Sequence, residues 1–85
     1  MTAEQIEYYL NGNRPDLTRS SRVFFRKRLP LEGIFIQAPD STELKKKNFW
    51  RFVASSRLEA YRQSKDINLS RIFNGDEFTK LAAAT

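Results

Sequence analysis

The chain has no cysteine and no histidine. The first absence excludes disulfides, thiolate metal sites and cysteine nucleophiles. The second removes the usual general base, the commonest metal ligand and the side chain that titrates near neutral pH. Glycines stand only at positions 12, 33 and 75, too far apart to build a GxxxxGK[ST] or GxGxxG phosphate loop. No apolar run approaches the ~20 residues of a membrane span. The opening MTAEQIEYYL lacks the basic start and apolar stretch of a secretion signal. A cytoplasmic protein is the expectation. There is no DxDxDG-like loop for a cation, Ser55-Ser56 has no SxxK lysine, and Glu43 and Glu59 lie sixteen residues apart. Neither a metal nor another cofactor is expected, and no catalytic activity.

What is present is a small, aromatic and basic chain. Its 85 residues hold seven Phe, three Tyr and one Trp within an apolar fraction of 40%, enough for one small core and not for two domains. The net charge of +5 is unevenly spread. Residues 1–13 carry −2, residues 14–71 carry +8 from 14 Lys and Arg against six acids, and residues 72–85 carry −1. A basic middle favours an acidic partner, either nucleic acid or an acidic protein surface.

The local patterns predict an α+β domain. Thr2-Ala3-Glu4-Gln5 reads as a capping box, with Ile6, Tyr9 and Leu10 on one side of a short helix over 2–11. Residues 13–21, with Pro15, read as a loop, and Leu17 is placed to reach the core from it. Arg22–Leu29 and Gly33–Ala38 alternate as strands joined through Pro30-Leu31-Glu32, giving a basic two-stranded hairpin over 22–38. Its outer face would carry Phe24, Arg26 and Arg28, and a homodimer is one way to cover its open edge. Asp40 and Glu43 read as the N-cap and N3 of a long helix over 41–64. Residues 68–81 read as a short helical segment, with a hairpin turning at Asn74-Gly75 as the rival reading.

The stretch KKKNFWRF, residues 45–52, carries the functional question. At 100° per residue, Phe49, Trp50, Val53, Ala54, Leu58, Ala60 and Tyr61 form a broad apolar face on the long helix. Phe52 falls outside it, on the polar side, where it either packs under the N-terminal helix or the loop over 13–21 or serves as a stacking or docking ring flanked by Lys45 and Arg51. Lys45, Lys46 and Lys47 early in a helix oppose its dipole, a conflict that a bound anion would relieve.

These features predict a non-enzymatic binding or regulatory protein. Nucleic acid is the first expected partner, held through phosphates by Arg22, Arg26, Lys27, Arg28, Lys45, Lys46, Lys47 and Arg51, with Phe52 beside them. The alternative is a protein–protein interaction module, an accessory subunit or inhibitor docking on a larger protein through the same side chains.

Overall fold

A computed structural model describes residues 1–13 and 20–84. The loop expected over 13–21, with Leu17, lies almost wholly outside the described residues. The capping box is present: the Thr2 amide donates to Gln5 Oε1 at 2.9 Å, and the Gln5 amide to Thr2 Oγ1 at 3.2 Å. It opens helix α1, Ala3–Asn13, which passes through Gly12 rather than stopping there. Ile6 is buried on its inner side, with Tyr9 and Leu10 packed around the same cluster.

Two strands follow, β1 at Ser21–Phe25 and β2 at Leu31–Phe35. They pair antiparallel, with Arg22 opposite Glu32 and Val23 opposite Leu31. The two-stranded hairpin expected over 22–38 is not what forms: the turn falls at residues 26–30 instead of at Pro30-Leu31-Glu32, Leu31 and Glu32 belong to β2, and the pair is part of a larger sheet. A third strand, β3 at Phe49–Ala54, lies on β2, a fourth, β4 at Arg71–Asn74, lies on β3, and a fifth, β5 at Phe78–Ala83, lies on β1. The order is β4-β3-β2-β1-β5, antiparallel throughout. Both edges of the hairpin are thus occupied by the same chain, which removes the reason given for a homodimer.

The long helix expected over 41–64 is not formed. The chain instead makes helix α2 at Ser41–Lys46, then β3, then helix α3 at Ser55–Ser64. Asn48 breaks the helix by taking a left-handed backbone conformation, φ 61°, which asparagine tolerates better than most residues. Its side chain is fixed on both sides. Asn48 Nδ2 donates to the Met1 carbonyl at 2.9 Å and to Asp76 Oδ1 at 3.1 Å, and Asn48 Oδ1 accepts from Trp50 Nε1 at 2.8 Å.

Beyond Asn48 the aromatic and β-branched run FWRFVA suits a strand. Trp50 and Phe52 face one side, together with Val23, Phe35, Phe78, Leu81 and Ile6. Val53 faces the other, where α3 lays Leu58 and Tyr61 over it and Ile34. Because both faces of β3 are covered, its apolar residues do not alternate with polar ones. The same letters then satisfy a helical wheel. Asp40 also departs from expectation, since it makes no side-chain cap at the start of α2.

The C-terminal helix expected over 68–81 is likewise replaced by strands. Asp66 caps a single 3₁₀ turn, Ile67–Leu69, by accepting from the Asn68 amide. A second 3₁₀ turn, Gly75–Glu77, follows β4. The rival hairpin is not formed either, because this turn carries the chain from one edge strand of the sheet to the other. The sheet must curl for so short a link to suffice. The rings of Phe73 on β4 and Phe25 on β1 accordingly meet at 5.4 Å across it. Two glycines permit the close packing. A Cβ on Gly33 would lie 2.0 Å from the Val53 carbonyl oxygen, and one on Gly75 2.3 Å from Asn48 Oδ1.

Candidate nucleic-acid interface

The basic residues separate into two groups once their neighbours are known. The first group is already paired. Arg51 forks onto Asp40, Nε to Oδ1 at 3.0 Å and Nη2 to Oδ2 at 2.7 Å, and its Nη1 donates to Ser70 Oγ at 3.1 Å. Its side chain is only 14% exposed. The hydrogen bonds from Arg51, against a smaller effect of desolvation, hold the Asp40 carboxyl below its ordinary value and raise Arg51 above its own. This is a structural clamp between β3, the start of α2 and the end of the 3₁₀ turn. Arg22 pairs with Glu32 across the hairpin, Lys45 with Glu7 at 3.6 Å and Lys46 with Glu43 at 3.5 Å.

The lysine cluster also changes meaning. Lys45 and Lys46 occupy the last turn of a short helix and Lys47 is its C-cap. Cations there complement the helix dipole instead of opposing it. The conflict that pointed to a bound anion does not exist in the fold. Phe52 is corrected as well. It is 1% exposed, with its ring 5.0 Å from that of Phe35 and 6.2 Å from that of Phe73. It is a core residue of β3 and offers no face to a base or a partner.

The second group has no carboxylate ion pair among the described residues: Lys47, Arg57, Lys65, Arg71 and Lys80 are spread over the fold, and three more stand consecutively at the β1–β2 turn. Arg26, Lys27 and Arg28 are all exposed there. Arg26 Nε donates to the Asp76 carbonyl at 3.1 Å, which props the turn against the 3₁₀ link. The Arg28 guanidinium lies over Phe25 and Phe73, 5.1 and 5.4 Å from the ring centroids. Leu29 follows, 83% exposed.

The alternation of β1 continues this cationic end along the sheet. Arg22 and Phe24 point to the outer side, opposite Val23, and α3 covers that side over β2 and β3. On β5, Lys80 lies directly opposite Phe24, with Nζ 5.6 Å from the centre of its ring. Lys80 was not among the expected site residues, because 68–81 reads as helical and the 24–80 pairing is invisible locally. No alternation marks this strand either, since Phe78 and Leu81 are three apart across a shift in the β1–β5 register, so the sequence holds no local signal for Lys80.

A further concavity lies elsewhere. A cleft of about 740 Å³ runs between α1, α2, α3 and the β2–β3 pair, with Leu10, Ile34, Phe49, Trp50 and Tyr61 among its walls. Its cations are already engaged: Lys45 by Glu7, Arg51 by Asp40, and Lys65 over the Tyr61 ring at 5.8 Å. No group of three or more acidic residues among the described ones can hold a metal ion. No helix among them is long and apolar enough to cross a membrane. Comparison with protein-family models, with curated proteins and with solved structures gives no match.

Proposed function

We propose that this protein is a non-enzymatic nucleic-acid-binding domain that holds phosphates with the β1–β2 turn and the outward side of β1 and β5. The observation that carries this reading is the run Arg26-Lys27-Arg28, three exposed consecutive cations with no carboxylate ion pair among the described residues. Lys80, opposite Phe24 on β5, extends the same positive surface. Unpaired cations on an exposed turn release counterions when they meet phosphate, which is the main sequence-independent source of nucleic-acid affinity. Of the residues expected from sequence, Arg26, Lys27 and Arg28 keep this role, Arg22, Lys45, Lys46, Arg51 and Phe52 leave it, and Lys47 stands apart at the C-cap of α2. A cytoplasmic location is part of the proposal.

A second reading, docking on an acidic protein surface, is favoured by Leu29, whose 83% exposure beside three cations suits an interface anchor. The test is charge reversal at two sites that hold no ion pair among the described residues, Lys27→Glu and Lys80→Glu. The double variant should weaken binding to unrelated sequences equally, and its melting curve should match the parent. Nucleic-acid affinity untouched by the reversal would transfer support to the protein-docking reading.

A further inference from the structure

We infer that the nucleic acid taken by this face is a single strand, one of whose bases stacks on Phe24. The inference rests on the phosphate-binding reading above and adds the form of the ligand. Phe24 is the aromatic side chain on the outward side of β1, partly exposed and bordered by cations. Lys80 sits opposite it in register, and Arg22, ion-paired with Glu32, is two residues along the same side, roughly 7 Å away at strand spacing. Arg26 follows two residues in the other direction, where the strand gives way to the turn.

A ring standing on an open antiparallel sheet among cations is the arrangement that unpaired bases use, with phosphates on the cations and a base on the ring. Duplex bases are already stacked within their own helix and cannot present a face to such a ring. The lysine over Phe24 occupies the position a base would take. An exposed cation–π contact favours its state by a factor of about 2 to 5, and a stacked base by about 5 to 150. The exchange is therefore favourable. The displaced ammonium, on its flexible stem, is left beside the strand where it can meet a phosphate.

The experiment is fluorescence anisotropy with a short labelled oligothymidylate and a labelled duplex of the same length, at low salt. The parent should bind the oligothymidylate more tightly than the duplex. Phe24→Leu, which keeps an apolar side chain against β5, should weaken single-strand binding about tenfold and leave duplex binding unchanged. Phe24→Tyr, which keeps a stacking ring, should bind the single strand within about twofold of the parent. If both substitutions leave single-strand affinity unchanged while Lys27→Glu still weakens both ligands, stacking on Phe24 is wrong and phosphate binding stands. If Phe24→Tyr loses as much as Phe24→Leu, the ring is needed for packing and the inference is again overturned. If the parent binds neither ligand, the inference and the reading beneath it both fall.

Discussion

Truncating Phe52 to alanine separates the strand observed at 49–54 from the helix that its letters equally suggest. On a helix, Phe52 would lie on the polar side, and its loss would cost about 1 kcal/mol or less. On β3 it is 1% exposed and packed against the rings of Phe35 and Phe73. A buried Phe→Ala change typically costs about 3–5 kcal/mol. The upper half of that range is expected here, since two edge-to-face ring contacts are lost with the buried area. An 85-residue domain has only about 4–13 kcal/mol to lose. Urea unfolding followed by the fluorescence of Trp50, which shares the cluster with Phe52, would report the change. With a slope of about 1–1.5 kcal/mol per molar urea, the midpoint should fall by about 3 M, or the variant should be unfolded before urea is added. A midpoint within about 0.7 M of the parent would refute the strand at this position.

Two further outcomes follow from close contacts in the sheet. Gly33→Ala places a methyl 2.0 Å from the Val53 carbonyl oxygen and 2.9 Å from the Ala54 Cα. Backbone cannot yield as a flexible side chain does, so a loss of at least about 2–3 kcal/mol is expected in the same unfolding assay, and a neutral result would contradict the β2–β3 register. The Asp40–Arg51 clamp sets part of the acid response. A carboxyl whose folded pKa is lowered contributes stability above its unfolded value, about 3.9, and that contribution is lost as pH falls through the folded value. Below about pH 4, the stability of the parent should therefore fall more steeply than that of Asp40→Asn, and parallel profiles would show that the clamp is not linked to folding.

The elements legible in the sequence are those whose signals are local. The capping box at Thr2 and Gln5 and the pairing of β1 with β2 each depend on residues a few positions apart. Residues 49–54 read as helical for a physical reason. A strand covered by α1 and ring clusters on one side and by α3 on the other loses its polar alternation, and periodicity alone then cannot tell it from a buried helix. The breaker was there in Asn48, but its left-handed conformation is held by Met1, Trp50 and Asp76, contacts that no local pattern shows. Residues 71–83 failed similarly, since β4 and β5 pair with β3 and β1 and not with each other.

The candidate interface divides along the same line. The cationic run Arg26–Arg28 is plain in the sequence, but its place in the turn is not, because the strand pattern over 22–29 carries it into β1 and puts the turn at Pro30-Leu31-Glu32. The neutralisation of Lys45 by Glu7 and of Arg51 by Asp40 depends on tertiary placement. So does the meeting of Phe24 with Lys80, fifty-six positions apart in the chain.

The most direct test of the central claim is the salt dependence of the parent's affinity for nucleic acid. Four cations without a carboxylate ion pair among the described residues, Arg26, Lys27, Arg28 and Lys80, border the proposed surface. Neutralising about four phosphates gives a log–log slope near −3 for a single strand, at about −0.7 per phosphate, and near −4 for a duplex. Anisotropy titrations between about 50 and 200 mM salt, the range over which counterion release is commonly followed, would measure it. A slope close to those values, reduced by about one when Lys27 becomes Glu, is the result predicted. A slope near zero, or no binding at the lowest salt, would contradict the claim that this turn and sheet face bind phosphate.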